Sequence, residues 1–321
     1  MTTIWVYAEV GPEGPAGSAL ELLTRARTLA DEVAAVALGP GATVAAGALG
    51  GHGAATVYAS DEPVYAKVVG RAAAHALGEL ARRHAPEMIW FPTSHEGRDV
   101  AGRLQAITGS TLMSNASDVL SPDRAVTQIY GDTQVVEVAL EGPDPKLVLV
   151  RPKSFVAEPS GGAASIVPVE VPVPEELRWP RRIERHEEAA SGPKLEDARV
   201  VISGGRGLQD PSNFALLDRL ADAIGGAAVG ATRAVVDAGW VPYSQQVGQT
   251  GKTVKPEVYV AIGISGATQH VVGMKGSRRI LAINKDPQAP IFGLADLGVV
   301  GDALALVPQL IEEIERRGGT G

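Results

Sequence analysis

The sequence contains no cysteine, and this absence removes several kinds of chemistry at once. A chain without thiols forms no disulfide, holds no iron–sulfur cluster through thiolates and uses no thiol nucleophile. The six histidines show no spacing typical of metal ligands, so no metal site is expected either. Any redox chemistry must therefore come from a bound organic cofactor.

Positive charge is also scarce. The formal net charge of −8 argues against a nucleic-acid partner, because proteins that neutralise phosphates carry clustered excess Lys and Arg. Residues 1–24 contain no Lys or Arg, so the basic start of a presequence is missing. Residues 41–59 are uncharged, but they contain five glycines and are too weakly apolar to span a bilayer. We expect a soluble cytoplasmic protein.

Aromatic residues make up only 4% of the chain, so the cores must be built mainly from aliphatic side chains. A length of 321 residues exceeds the usual size of one domain and predicts two cores. The composition shifts between residues 158 and 197, in a proline-rich segment that we assign largely to the first domain. We therefore predict an N-terminal domain over residues 1–190 and a C-terminal domain over residues 191–321.

The first half alternates short apolar runs with segments of helical period, which predicts a parallel sheet with helical crossovers. The expected strands are residues 3–9, 33–38, 55–59 and 88–92. The expected helices are residues 18–31, 64–84 and 98–108. Four further strand candidates, at residues 115–120, 125–130, 133–140 and 147–150, predict an antiparallel extension.

Prolines recur every few residues between positions 158 and 197, which is incompatible with a regular helix or a central strand. Two interpretations stay open for this segment. It is either an extended connector between the domains, or an edge strand of the first domain followed by a short linker.

The second domain resumes the alternation and predicts a small doubly wound parallel sheet. Its expected strands are residues 198–203, 227–230, 258–262, 280–284 and 298–300. Its expected helices are residues 211–224, capped by Asp210 or Ser212, and residues 302–316.

Several strand ends of this domain carry glycine turns or polar residues, and such ends meet at one edge of a parallel sheet. Arg206 lies in the turn SGGRGL, Thr232 and Arg233 follow the next strand, and Ser265 lies in IGISGATQH. Glycine turns that precede helices offer main-chain amides to phosphates. Together these ends predict a dinucleotide-sized pocket.

The segment GQTGKT, residues 248–253, is not a nucleoside triphosphatase loop, because Gln246 stands where the pattern GxxxxGK[ST] requires glycine.

The blocks SGGRGLQ, ATRAVVDAGW, QVGQTGKTVKPEVYVAIGISGATQH and INKDPQAPIFGLADLGVVGD resemble the flavin domain of electron transfer flavoprotein alpha subunits. FPTSHEGRDVAGRLQ and TQIYGDTQ are similar to segments of the family's first domain. The resemblance implies two Rossmann-like α/β domains, of which the second is a flavodoxin-like or DHS-like parallel sheet that binds FAD. It implies FAD contacts at Arg206, Thr232, Arg233, Val247, Gly248, Gln249, Thr250, Ser265, Gly266, Ala267, Thr268, Gln269, His270, Asn284 and Asp302.

Three of these positions are implied to tune the flavin. Arg233 would lie against the isoalloxazine, Thr250 would face flavin N5, and His270 would approach the O2 carbonyl. A guanidinium and an imidazolium beside the ring would favour an anionic semiquinone. Residues 265–270, with Asn284 and Asp302, would serve the pyrophosphate and adenosine.

The resemblance further implies a heterodimer whose beta subunit holds AMP. It implies electron transfer from acyl-CoA or other dehydrogenases, as in fatty acid beta-oxidation, to a membrane quinone oxidoreductase, by a carrier and not by a substrate-converting enzyme. Three alternatives stay open: an NAD-binding or adenylate-binding enzyme of the same fold, a non-redox scaffold subunit, and a bifurcating member of the family with a second FAD in the beta subunit.

Overall fold

The computed structural model describes residues 2–130, 132–184 and 192–318. The chain divides into two compact units, Met1–Arg185 and His186–Gly321. The boundary predicted at residues 190 and 191 lies outside the described residues and stays a prediction.

The first unit alternates strands and helices through most of its length. Its strands are β1 (Thr3–Ala8), β2 (Val10–Gly11), β3 (Gly14–Pro15), β4 (Glu32–Leu38), β5 (Thr56–Ser60), β6 (Met88–Pro92), β7 (Leu112–Ser121), β8 (Arg124–Ile129), β9 (Gln134–Ala139), β10 (Lys146–Val150) and β11 (Ser165–Pro168). Its helices are α1 (Gly17–Ala26), α2 (Ala42–Gly51), α3 (Pro63–Lys67), α4 (Arg71–His84) and α5 (His95–Thr108), with a 3-10 turn at Glu175–Leu177.

Nine of these strands form one sheet in the order β11-β5-β4-β1-β6-β10-β7-β8-β9, and β2 and β3 form a separate hairpin. Strands β5, β4, β1, β6 and β10 are mutually parallel and have the chain order 3-2-1-4-5 of a Rossmann-like sheet. Helices cover both faces, because Ile4 and Val6 of β1 pack with α1 and α2, whereas Trp5 and Tyr7 pack with α4 and α5. The predicted α/β fold is confirmed.

Several details of the first unit differ from the predictions. Residues 42–51 form α2, which the glycine-rich sequence concealed; Gly50 lets this helix approach the main chain of Ala164, which a Cβ would meet at 2.5 Å. The single helix predicted over residues 64–84 is two helices, separated at Gly70, whose φ is +57°.

The extension is antiparallel only between β7, β8 and β9. Strand β10, predicted as part of that extension, instead lies between β6 and β7 and runs parallel to both. The proline-rich segment contains β11, which pairs with β5 at the sheet edge, so the edge-strand interpretation is correct for residues 165–168.

The second unit is a sheet of five parallel strands in the order β13-β12-β14-β15-β16. This chain order, 2-1-3-4-5, is flavodoxin-like, as predicted. The strands are β12 (Val200–Gly204), β13 (Ala228–Ala231), β14 (Val258–Ile262), β15 (Ile280–Asn284) and β16 (Leu297–Val300). The helices are α6 (Ala215–Ile224), α7 (Arg233–Val236), α8 (Thr268–Val271) and α9 (Ala303–Gly318), with 3-10 turns at Arg206–Leu208, Pro211–Phe214, Tyr243–Gln245 and Pro290–Gly293.

The two faces of this sheet are covered differently. Helices α6 and α9 pack on the face that contains Ile202 and Ile262, where Trp240 also meets Phe214 edge-on at 6.3 Å. The other face, which contains Tyr259, is covered by irregular segments that include Val247 and Met274. No helix within the described residues is both long enough and apolar enough to cross a membrane.

Candidate functional site

A cavity of about 620 Å³ opens at the carboxyl edge of the second sheet. Its volume lies within the roughly 300–1,000 Å³ that is typical of small-molecule sites. The lining residues are Gly205, Arg206, Gly207, Thr232, Arg233, Ala234, Asp237, Gly263, Ile264, Ser265, Ala267, Gln269, His270, Asn284, Asp286, Ala289 and Pro290.

Four successive strands supply this lining from the loops that follow them: β12, β13, β14 and β15. The chain after β12 leads to β13, on one side of it in the sheet, whereas the chain after β14 leads to β15, on the opposite side. The two loops therefore diverge between β12 and β14. Open α/β sheets bind ligands in the crevice at such a topological switch point. The predicted convergence of strand ends on one crevice is present.

Glycines allow the β12 and β14 loops to touch. A Cβ on Gly207 would lie 2.5 Å from Gly263 Cα, and one on Gly205 would lie 2.5 Å from the Gly263 carbonyl oxygen. The Gly207 amide donates to that carbonyl at 3.0 Å, and Gly263 itself has a φ of +62°. Side chains at these positions would force the two loops apart and change the floor of the cavity.

A run of unpaired main-chain amides borders the cavity. Among the described residues, the amides of residues 265–269 donate no hydrogen bond to the protein. Ser265, Ala267 and Gln269 of this run line the cavity, and Gly266, with a φ of +88°, turns the chain into α8. Consecutive free amides form a concave donor set that suits phosphate oxygens.

Two arginines bring positive charge to the same edge. Arg233 begins α7, and its Nε lies 3.1 Å from Asp237 in a pair whose side chains are 65% and 61% exposed. Arg206 is exposed on the β12 loop. Both guanidiniums therefore remain accessible to an anionic or aromatic ligand, and the Arg233–Asp237 pair is the kind of exposed pair that is worth at most about 1 kcal/mol.

His270 differs from the expectation of an imidazolium. The residue is only 5% exposed, its Nδ1 lies 2.9 Å from the Val247 carbonyl oxygen, and its Nε2 lies 2.9 Å from the Tyr259 hydroxyl. Burial lowers the pKa of His270 to about 4, against a smaller opposing effect of the Val247 hydrogen bond. His270 is thus a neutral imidazole in this structure, because desolvation disfavours its charged form.

The loop before Lys252 reaches α8 but does not line the cavity. The Gln249 amide donates to the Gln269 carbonyl at 2.7 Å, and the Gly248 amide donates to Lys252 at 3.1 Å. The Thr250 hydroxyl accepts a hydrogen bond from Gln246 Nε2 at 3.0 Å. Val247, Gly248 and Gln249 therefore lie beside His270 or Gln269, whereas Thr250 contacts Gln246; none of the four lines the cavity.

The cavity brings together Arg206, Thr232, Arg233, Ser265, Ala267, Gln269, His270 and Asn284 from the predicted contacts. Gly266 and Thr268 belong to the amide run without lining the cavity. Asp302 also lies outside the lining, where its side chain accepts a hydrogen bond from Leu304 at the start of α9. Asn284 holds two loops, because its amide donates to the Ile264 carbonyl and its oxygen accepts from Asp286.

Sequence reasoning missed some lining residues. Asp237 and Asp286 carry charge into the cavity, and Ala289 and Pro290 close one side of it. The sequence offered one indication of these residues, which is that each follows the end of a predicted strand by a few positions.

Family models match both units. Residues 4–176 match the electron transfer flavoprotein domain, and residues 194–275 match the electron transfer flavoprotein FAD-binding domain. The second match includes the loops after β12, β13 and β14, together with α8.

Curated relatives extend the match to nearly the whole chain. The electron transfer flavoprotein subunit alpha of Mycobacterium tuberculosis (strain ATCC 25618 / H37Rv) is 43% identical over 93% of this chain and 94% of its own. The corresponding subunit of Mycobacterium leprae is 40% identical over the same shares. That of Thermoanaerobacterium thermosaccharolyticum is 37% identical over 98% of both chains. Identity at this level through both units means that the chain belongs to the electron transfer flavoprotein family, among its alpha subunits.

Proposed function

We propose that this chain holds FAD in the cavity of its second unit and transfers electrons as the alpha subunit of a heterodimeric electron transfer flavoprotein. The observation that carries the proposal is the convergence of four strand-end loops on one cavity at the switch point of the sheet. The FAD-binding family model covers three of those loops.

The donor set of the cavity fits the parts of FAD. The free amides of residues 265–269 suit the pyrophosphate, whose oxygens need several hydrogen-bond donors. Arg206 and Arg233 offer planar guanidiniums, which stack on aromatic rings and pair with anions. Thr232 and Asn284 add neutral polar groups beside them. The residues present therefore fit the cofactor.

When bound, FAD would supply one-electron chemistry through an anionic semiquinone. The chain contributes the setting for that chemistry. To hold the flavin ring, Arg233 would give up its ion pair with Asp237, and this exposed pair is weak, so its loss would cost little. His270 offers a buried imidazole that is held in one orientation by two hydrogen bonds.

The remaining parts of the proposal concern other molecules. We propose a beta subunit with bound AMP as the partner, acyl-CoA or other dehydrogenases as electron donors and a membrane quinone oxidoreductase as the acceptor. The chain then acts as a carrier without a substrate of its own. FAD contacts at Val247, Gly248, Gln249, Thr250, Gly266, Thr268 and Asp302, and a cytoplasmic location, stay predictions from the sequence.

The test is co-expression with the beta subunit, followed by counting of flavin and AMP per heterodimer. We expect one FAD and one AMP, whereas a second FAD would indicate the bifurcating type. A complex that contains no flavin after FAD is supplied would contradict the proposal.

Arg233→Lys probes the cavity directly, because lysine keeps the charge but lacks the planar fork. We expect a lower semiquinone yield in a stepwise dithionite titration. Arg279→Lys is the matched control: Arg279 is also 65% exposed and pairs with Asp296 at 3.2 Å, outside the cavity. Equal yields in both variants would remove Arg233 from the site.

A further inference from the structure

A buried line of polar side chains runs behind the cavity wall through His270. Tyr259 and Ser203 are both fully buried, on β14 and β12. Tyr259 pairs with Val201 in the sheet, and side chains two residues apart on a strand share a face, so Tyr259 and Ser203 lie on the same side. Tyr259 then reaches His270 through its hydroxyl, 2.9 Å from Nε2.

The partners of His270 fix its neutral form. The Val247 carbonyl can only accept, so the hydrogen of the ring lies on Nδ1. Nε2 is then an acceptor, and the Tyr259 hydroxyl donates to it. The neutral ring is fully satisfied by these two bonds.

Ser203 is not needed in this arrangement. Its hydroxyl oxygen is buried and has no hydrogen-bond partner among the described residues. It nevertheless lies near enough to Tyr259 to lower the pKa of that phenol against the larger rise caused by burial. An unpaired hydroxyl in a core lowers the free energy of unfolding, so a functional role for the Ser203 hydroxyl beside Tyr259 would account for its presence.

If the His270 ring took up a second proton, on Nε2, the Tyr259 hydroxyl could no longer donate to that nitrogen and would have to reorient. Nε2–H would become a donor to the Tyr259 oxygen, and the Tyr259 hydrogen would need a new acceptor. The Ser203 oxygen can accept it, so that the imidazolium keeps a partner on each nitrogen.

We propose that Tyr259 and Ser203 are positioning residues that control the charge of His270. While Tyr259 donates to Nε2 the ring is neutral, and when the Tyr259 hydroxyl turns to Ser203 the ring can hold a second proton. That proton is taken up from solvent hydronium, which becomes water, and no other atom is transferred.

The positive charge on His270 would be stabilised when negative charge enters the cavity, as on a reduced flavin. This link rests on the proposed function. The charged groups that line the cavity with His270 are Arg206, Arg233, Asp237 and Asp286. Lys252, on the loop that supplies the Val247 carbonyl, is paired with Glu196 at 2.6 Å.

Ser203→Ala is the decisive variant, because it removes only the alternative acceptor and leaves both bonds of neutral His270 in place. The matched control is Ser110→Ala, which removes another buried serine hydroxyl, in the first unit. Tyr259→Phe is the second variant, and it removes the hydroxyl from both forms. The readout is nitrogen-15 NMR of histidine-labelled full chain in complex with its partner subunit, with His270 assigned from its absence in His270→Gln.

The first measurement needs no flavin and follows His270 on acidification of the flavin-depleted complex. In Ser203→Ala the charged form leaves the buried Tyr259 hydroxyl hydrogen without an acceptor, which costs about 1–3 kcal/mol, or on the order of tenfold or more. We compare the variants at each pH that is below the ordinary pKa of an imidazole and at which the protein remains folded. At each such pH, we expect the ratio of charged to neutral His270 to be at least about tenfold lower in Ser203→Ala than in wild type. Ser110→Ala should match wild type.

The second measurement compares oxidised and dithionite-reduced FAD complexes. In wild type, reduction should add a proton to His270, whereas in Ser203→Ala the ring should stay neutral. The potential of the first reduction should then fall by about 59 mV for each tenfold decrease in the ratio of charged to neutral His270. Tyr259→Phe should also keep the ring neutral. If Ser203→Ala follows wild type in both measurements, the proposal is wrong. If no FAD binds, the proposed function fails, while the flavin-free measurement still decides this one.

Discussion

His270 makes the stability of the second unit depend on pH. Its pKa is about 4 in the folded chain, against 6.5 for an ordinary imidazole. Between these values the unfolded chain binds the additional proton, so the free energy of unfolding rises with pH through this window. The contribution is complete above the unfolded value, and it is lost as the pH falls towards the folded one, by on the order of 3 kcal/mol.

This dependence can be isolated by substitution. His270→Gln should flatten the pH dependence of unfolding between those two pKa values, measured by urea titration at several pH values. His95→Gln, at an exposed histidine, should keep the wild-type slope. A His270→Gln slope equal to that of wild type would mean that the imidazole is not neutralised by folding.

The residue scale also shows what a sequence can and cannot predict. Arg206, Arg233 and Ser265 could be placed at the cavity because each follows a strand, and strand ends meet at one edge. The charge of His270 could not be predicted, because it depends on burial and on Tyr259 and Val247, which are distant in the sequence. The FAD contact at Asp302 stays a prediction, and in the structure this carboxylate accepts a hydrogen bond from Leu304 at the start of α9, as a capping residue does.

At the scale of elements, the contact between the β12 and β14 loops sets the floor of the cavity. Gly207→Ala would place a Cβ 2.5 Å from Gly263 Cα, which belongs to the main chain and cannot move cheaply. We expect a loss of stability of about 1–3 kcal/mol and a lower FAD content in the purified complex, measured by denaturant unfolding and visible absorption.

Gly293→Ala is the matched control in the same unit, since a Cβ there meets no atom within 4 Å and its φ is not in the left-handed region. We expect a change within about 0.5 kcal/mol and a normal FAD content. If Gly207→Ala behaves like this control, the two loops do not depend on their close approach.

Elements with a clear hydrophobic periodicity were predicted well, whereas elements whose residues favour conflicting structures were not. Strands β14 and β15 have the predicted bounds because apolar runs are flanked by turn residues. Helix α2 was missed because its glycines oppose helix propensity, and the close approach of Ala164 accounts for Gly50 alone among them. The position of β10 between β6 and β7 depends on pairing over long sequence separation, which periodicity does not encode.

At the scale of the whole molecule, each unit has its own cores and the cavity belongs to the second unit alone. A ligand that binds only the folded form stabilises it by about 2.7 kcal/mol at a concentration of 100 Kd. FAD should therefore raise the calorimetric unfolding transition of the second unit and leave that of the first unit in place. Equal shifts of both transitions would show that the units unfold together.

The packing of Trp240 against Phe214 has a practical consequence. The other three tryptophans, Trp5, Trp90 and Trp179, belong to the first unit, so Trp240 is the sole indole of the segment from His186 to Gly321. Replacing those three with phenylalanine would leave a chain whose emission reports on one unit only. Quenching of that emission by energy transfer to a yellow cofactor would then time its arrival and departure in real time.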